Sequence, residues 1–444
     1  MNLPIAKPET GLHVLKGLAR DRSLLTAMAI MRQEVGPAFQ ITLPGFQPAV
    51  MVGPDSNREI MVSQSEHFHW RNPTDPVTKL LRHGLLVEDG DSHDSLRAKM
   101  EPIMQKPLVL SYVAAMQAYT DRVLADWSNG SVQDMLVQMR RAALHIFMGT
   151  LLDVEFGPDL ERMWQPILRA IKYISPGLWI IWPNMPRPGY EKALAQMDAY
   201  LYGIIRERRR RLEIERLEIG NSQSHHLQSP DLLTHLASLP QMSDDLIRDQ
   251  ILTMLIAGHD TSTALLAWAL HLLGTHPQAM ADAVAEVGAV IGQDDLTTAH
   301  MSQLPYLDSL IKETLRLYPP IHVGNRMVAE DTAVSGYELK AGTRVMASIY
   351  LSHRDERYWD APDEFCPARF ALGAKKPPAF TYVPFGGGTR ACIGAAFAQV
   401  EAKVVLARIL QQFELTDTGR KVKPYMGATL EPRPGVFLRV RRRR

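Results

Sequence analysis

The chain has 444 residues, a formal net charge of +1, 46% hydrophobic and 22% charged residues. That is the balance of a globular protein with a large core, and it excludes a global polybasic field for nucleic acid. Two cysteines, Cys366 and Cys392, are too few for a disulfide framework and fit a reducing compartment.

The N-terminal residues Met1 to Pro8 hold no apolar signal region, and no run elsewhere suits a transmembrane span. A cytoplasmic protein is therefore expected. Residues 1–30 read as irregular, then helical. Ala38 to Thr42 and Ala49 to Val52 alternate around Pro44-Gly45, which predicts a hairpin. Pro54-Asp55 starts a helix. From about residue 90 to 275 apolar residues recur at helical spacing. Residues 218–230, rich in Ser, Gln, His and Asn, read as an exposed loop. The basic run Arg206 to Arg211 reads as a solvated helix face. Ser243-Asp244-Asp245 caps a segment apolar to Leu273, stopped by Gly274-Thr275-His276-Pro277. A helix of this length, apolar on most faces, belongs at the centre of a large protein. Tyr306 to Tyr318 is a second helix, ended by Pro319-Pro320. Short strands follow at Tyr337 to Leu339 and at Arg344 to Ile349, across the Ala341-Gly342 turn. A last strand pair, around Val422 and at Val436 to Val440, flanks Gly427 to Leu430.

Cys392 is the most informative residue. It sits in Phe385-Gly386-Gly387-Gly388-Thr389-Arg390-Ala391-Cys392-Ile393-Gly394, ahead of a helical pattern from Gly394 to Phe413. A thiolate binds soft or borderline metals, haem iron among them, and as an axial ligand it favours O–O cleavage. Glycines let backbone N–H groups approach the sulfur. Arg390 and the following helix N-terminus add positive potential. The pattern Phe-x-x-Gly-x-Arg-x-Cys-x-Gly resembles the haem-binding signature of the cytochrome P-450 family at every fixed position. The resemblance covers about residues 35–440. It implies a mainly α fold with a small β region, a single unit over 1–444 with 1–30 and 441–444 peripheral. Haem b would lie between the long central helix and the helix of the cysteine loop.

Further constellations gain meaning beside that loop. Ala257-Gly258-His259-Asp260-Thr261-Ser262 lies midway along the long helix. A mid-helix glycine costs about 1 kcal/mol against alanine, and Asp260 is costly there unless paired or wet. The segment resembles the family's Ala-Gly-x-Asp/Glu-Thr motif, which implies that Thr261 bonds the oxygen being activated and Asp260 serves the proton relay. His259 reads as a packed residue. Glu313-Thr314-Leu315-Arg316 puts an acid and a base on one helix face. With Pro367-Ala368-Arg369-Phe370 it is similar to the family's Glu-x-x-Arg and Pro-x-Arg-Phe segments, which implies a buried Glu313–Arg316–Arg369 network under the loop. By similarity, His93, Arg97, Arg326 and Arg390 would hold the haem propionates. The substrate pocket would draw on Leu255, Ile256, Ala257, Ile321, Val323, Thr429 and Leu430, all apolar but one. Leu178 to Trp182, between prolines, reads either as packing or as an apolar lid.

The resemblance implies a soluble bacterial-type monooxygenase that inserts one atom of O2 into an apolar substrate, weakly tilted toward lipids or terpenoids. Electrons would come from a separate ferredoxin- or flavodoxin-type protein, docking near Arg97, Lys99, Lys106 and Lys403. The alternatives are a haem-thiolate peroxygenase or isomerase without a reductase, and a haem-free helical binding protein.

Overall fold

Thirty-two residues, Asp244–Thr275, form the central helix, about 48 Å long at 1.5 Å per residue. Ser243 starts it by accepting the Leu246 N–H at 3.2 Å, and Asp244 and Asp245 put negative charge on the first turn. His276, which precedes Pro277, leaves helical geometry at φ −125° and ψ 87°. Most of its side chains are buried. The exception is local: Ala257 is exposed and Gly258 and Thr261 are half-buried, between buried neighbours. One short stretch of the central helix therefore borders open space inside the protein.

The computed structural model describes residues 1–21, 23–177, 188–219 and 231–443. The helices Met135–Ile146, Glu191–Ile219, Pro305–Leu317 and Ala395–Gln412 pack against the central one. Their apolar faces form one continuous core. Trp268 is fully buried in it, stacked on Tyr318 with ring centroids 3.7 Å apart. Its indole N–H donates to the Leu430 carbonyl at 2.8 Å, so the buried polar atom is satisfied.

A smaller core lies under a five-stranded sheet, in the order Ala38–Gln40, Ala49–Met51, Arg344–Ala347, Gly324–Val328, Phe68–His69. The first two strands are the expected hairpin, with Phe39 opposite Val50. Ala49–Met51 then runs parallel to Arg344–Ala347. The strand expected to reach Ile349 stops at Ala347, because Ser348 caps a short helix, Ile349–Ser352, by accepting the Leu351 N–H. Tyr337–Leu339 pairs with Thr332–Val334 instead of with Arg344–Ala347.

The C-terminal pairing also differs from the expectation. Lys423–Met426 pairs with Leu430–Arg433 across the turn, while Phe437–Arg442 pairs with Phe413–Asp417 and Val132–Asp134. Local alternation shows that strands exist there but not which partner each takes. At the ends, Arg441 and Arg442 belong to a strand, Leu25 and Met28 are buried, and the Met1 ammonium donates to the Gly336 carbonyl. The basic run is only partly a solvated face. Arg208 is buried, paired with Asp231 at 2.9 Å, whereas Arg210 and Arg211 lie outside on Glu207. Residues 220–230 of the expected loop lie outside the described residues.

Trp268→Ala removes a fully buried aromatic and its hydrogen bond together. Truncations of this kind cost about 3–5 kcal/mol. The expected outcome is an unfolding free energy lowered by that amount, seen as a lower urea midpoint at an unchanged dependence on denaturant.

Candidate functional site at the cysteine loop

The loop from Phe385 to Gly394 is shaped by backbone that only glycine adopts easily. Gly386 and Gly388 have φ of 72° and 67°. A Cβ at Gly388 would also collide with the Met61 carbonyl oxygen. The Cys392 N–H donates to the Phe385 carbonyl at 2.8 Å, closing the loop. Arg97 donates to the Ala391 carbonyl at 2.9 Å, which fixes the residue before the cysteine. The Cys392 side chain is exposed, yet burial pushes its thiol up, against the pull of the Gly394 N–H and Arg97. The two facts agree if the sulfur faces open space that protein encloses. Ala395–Gln412 starts three residues later and directs its positive end there. Among the described residues no group of three or more His, Cys, Asp or Glu could hold a bare metal ion. Cys392 is thus suited to a metal that brings its other ligands, as haem iron does.

The cations beside it test that fit. Arg326 stacks over Trp70 at 3.6 Å and Arg390 lies 5.8 Å from the same ring. Burial, then the charge of Arg390, pushes Arg326 down to about 9. Its one side-chain bond among the described residues goes to the neighbouring Asn325 carbonyl. Arg390 reaches Asp89 at 2.7 Å and the Glu88 carbonyl, and burial lowers it too. Among the described residues the buried Trp70 indole N–H has no partner. Two crowded guanidiniums and an orphaned donor meet here, and Asp89 is the one carboxylate that bonds a guanidinium among them. Further anionic oxygens are needed, and a pair of haem propionates fits. His93 is buried with its Nδ1 on Asp94 at 2.8 Å, lowered chiefly by burial. Arg97 faces the loop backbone.

On the central helix, the Thr261 hydroxyl donates to the Ala257 carbonyl at 2.6 Å. Gly258 carries its missing Cβ toward Phe147, which such an atom would meet at 3.4 Å. Asp260 is neither wet nor free. It pairs with Arg140 at 2.9 Å and accepts the Thr429 hydroxyl at 2.9 Å. Arg140 also pairs with Glu431 at 2.6 Å, and all four residues are buried. Burial opposes the Arg140 charge, but Asp260 and Glu431 outweigh it and hold the guanidinium above its ordinary value. His259 is a packed residue, its Nδ1 on the Leu255 carbonyl at 2.7 Å and its pKa pushed down to about 3 by burial.

The expected substrate-pocket residues divide. Ala257 and Ile321 present open surface. Leu255, Ile256 and Val323 are buried. Thr429 and Leu430 are buried as well, and the Thr429 hydroxyl is engaged with Asp260. Leu178 to Trp182, the expected lid, lies outside the described residues. A cleft of about 470 Å³ lies elsewhere, against Met163, Tyr200 and Gly203 on the helices Leu160–Ile174 and Glu191–Ile219.

Glu313 and Arg316 have no exposed surface. They form two parallel bonds of 2.8 Å. Arg316 also donates to the carbonyls of His353, Pro362 and Glu364. Glu313 accepts the Cys366 N–H at 3.0 Å and Arg369 Nε at 3.3 Å. The residues expected as a network are together, and Cys366 contributes its backbone. Sequence reasoning missed Trp70, Asp89, Arg140 and Glu431. The signals were weak: a tryptophan before Arg71, and an acid within a short C-terminal strand.

A family model described as Cytochrome P450 matches residues 4–439. Human "Cytochrome P450 4V2" is 28% identical over 445 residues, covering 94% of this chain and 83% of that protein. The heme domain of cytochrome P450DA has a TM-score of 0.84 at 27% identity, covering all of this chain and 97% of that one. A cyanobacterial protein, CYP120A1, solved with retinoic acid bound, has a TM-score of 0.80 at 25% identity over 94% of each chain.

Glu313→Ala strands the Arg316 charge in the core. Breaking one partner of a buried pair costs about 3–5 kcal/mol. The expected result is a large drop in haem per protein, read from the ratio of haem to aromatic absorbance. A fully loaded Glu313→Ala protein of native stability would contradict the role.

Proposed function

The chain belongs to the cytochrome P450 family of haem b, cysteine-thiolate monooxygenases, and on that premise we propose that Cys392 is its haem ligand and an apolar organic molecule its substrate. The observation that carries this reading is Cys392 itself. A desolvated thiol turned onto enclosed space, at a helix start and beside two under-neutralised arginines, has a use for an iron porphyrin. When bound, haem b supplies the reduction of dioxygen and the transfer of one oxygen atom to a C–H or C=C group, the other leaving as water.

The chain's own residues have the remaining tasks. Arg326, Arg390 and the Trp70 N–H hold the propionates, with His93 behind them. Arg97 holds the loop. Thr261, tied to Ala257, keeps its hydroxyl oxygen toward the open stretch and can hold a water or a proton there. Asp260 reaches that role from an ion pair, so any proton it passes must first be exchanged against Arg140. Ala257 and Ile321, with Leu255, Ile256 and Val323 behind them, make an apolar wall. The relative solved with retinoic acid supports a lipid- or terpenoid-like substrate.

We assign the electron donor to a separate ferredoxin- or flavodoxin-type protein, in the redox-partner role that membership of the family implies. The docking cations are fewer than expected. Lys403 turns inward to Asp308 at 2.8 Å, Lys99 bonds Ser95, and Arg97 faces the loop. Lys106 stays exposed. Among the described residues no helix is long and apolar enough to cross a membrane, and we place the protein in the cytoplasm, as one unit over 1–444.

Spectroscopy tests the ligand. The reduced carbonyl complex is expected to show the red-shifted Soret band of thiolate ligation. Cys392→His loses it and Cys366→Ser keeps it; the reverse would move the ligand to Cys366. Retinoic acid, the first probe of the substrate class, is expected to shift the Soret band by displacing the iron's water. No shift with it or with related apolar acids would argue against this class. Thr261→Ala is expected to keep the haem spectrum while raising the share of electrons lost as hydrogen peroxide.

A further inference from the structure

The cleft between Leu160–Ile174 and Glu191–Ile219 has no part in the haem chemistry. Its volume of about 470 Å³ falls within the range of about 300–1,000 Å³ that takes small organic ligands. It opens away from the core. Met197, Leu201 and Ile205 are buried on the face of Glu191–Ile219 that packs toward the central helix. At about 100° per residue, Gln196, Ala199 and Gly203 fall on the opposite face, and all three are exposed and line the cleft. A molecule lying there is separated from the central helix by the thickness of one helix, about 10 Å.

The floor of the cleft is apolar. Met163 is buried there and Ile204 half-buried. Gly203 keeps it open. A glycine inside a helix is destabilising, and packing gives no reason for this one, because a Cβ at Gly203 would meet nothing within 4 Å. Its backbone does not take a positive φ either. The missing side chain leaves room, one turn after Ala199 does the same. The Tyr200 hydroxyl is buried beside Asp159, so the ring of Tyr200 is what walls the cleft. At the rim stands Arg162. It spends one N–H on Asp159, at 2.7 Å, and lies over the Tyr200 ring, 5.7 Å from its centroid. Those two contacts hold the guanidinium in place while 66% of the side chain remains exposed. Arg162 and Asp159 offset each other's charge, so the cleft gives a charged ligand no advantage. What it offers is a fixed donor with N–H groups to spare beside an apolar floor.

We propose that this cleft is a second small-molecule site, outside the haem chamber, for an uncharged, flat apolar molecule that carries one acceptor oxygen, a ketone or amide carbonyl. The molecule lies on Met163, Ala199, Gly203 and Ile204, edged by the Tyr200 ring, and its oxygen accepts from Arg162. Apolar contact supplies the affinity, and the single charge-assisted bond fixes the orientation.

The test uses prodan, an uncharged naphthalene ketone whose emission moves to the blue in apolar surroundings. Binding to the haem-loaded protein is measured by equilibrium dialysis, with emission and the Soret band read on the same samples. Wild type is expected to hold one prodan per chain, with blue-shifted emission and an unmoved Soret band. Gly203→Leu fills the floor and is expected to abolish this binding without lowering the thermal midpoint, since the added side chain starts in open space. Arg162→Met keeps the floor and removes the donor, and is expected to weaken binding about tenfold. The Soret shift with retinoic acid is expected to be the same in both variants as in the wild type, so a failure of the substrate reading and a failure of this site show in different measurements. No binding to the wild type overturns the proposal. Binding that Gly203→Leu leaves unchanged overturns the site, and a moved Soret band then places prodan in the haem chamber. Binding that Arg162→Met leaves unchanged overturns the ligand class.

Discussion

The Glu313–Arg316 pair is the interaction on which the cysteine loop depends. Two opposite charges with no solvent exposure are costly to bury, and only complete pairing makes them tolerable. Arg316 therefore takes three backbone carbonyls between residues 353 and 364 besides its carboxylate. Glu313 takes the Cys366 N–H and Arg369. The segment thus pinned leads straight into the loop. His353, whose carbonyl Arg316 holds, accepts the Val383 N–H on its ring at 2.9 Å. The chain therefore enters Phe385 from a segment that the buried pair holds, and at Gly388 it passes so close to the Met61 carbonyl that a Cβ there would collide. Specificity of the loop's placement is the gain set against the desolvation.

A second constraint runs the other way. Around Trp70 the protein gathers more positive charge and more donors than it neutralises. Burial and the charge of Arg390 depress Arg326, burial depresses Arg390, and among the described residues the indole N–H has no acceptor. A chain selected for stability alone has no reason to crowd two guanidiniums on one ring. That surplus is what the proposed propionate site would require. Trp70, placed by the short strand Phe68–His69 that precedes it, stacks on an arginine from the strand Gly324–Val328, its antiparallel neighbour. The sheet thereby becomes part of the cofactor site.

What could be read from sequence follows from how local each signal is. The cysteine loop, the Glu313–Arg316 pair and the Ala257–Thr261 stretch are each contiguous, so residue type and spacing carry them. The cap at Ser243 and the hairpin at Pro44-Gly45 are legible for the same reason. Pairing partners distant in sequence are not. Arg140 is 120 residues from Asp260 and Glu431 is 291 from Arg140, and nothing in either segment announces the other. The C-terminal strands failed likewise, since alternation gives a strand but leaves its neighbour open. Family similarity alone assigns Thr429 to the pocket. Its hydroxyl needed a partner, and the buried carboxylate of Asp260 needed a donor.

The three buried acids on or beside the central helix show how one core treats the same chemistry differently. Glu313 and Asp260 each meet an arginine, at 2.8 and 2.9 Å. Glu401 meets only a serine, and burial keeps it neutral. Charged pairs resist change, because loss of either partner strands the other. A neutral acid with one weak donor costs little to keep. Within the turn that carries Thr261, Asp260 is held by the Arg140 ion pair and Ser262 is tied to Glu401 of the cysteine-loop helix. The difference between the two acids follows from the presence of one guanidinium and, among the described residues, the absence of another.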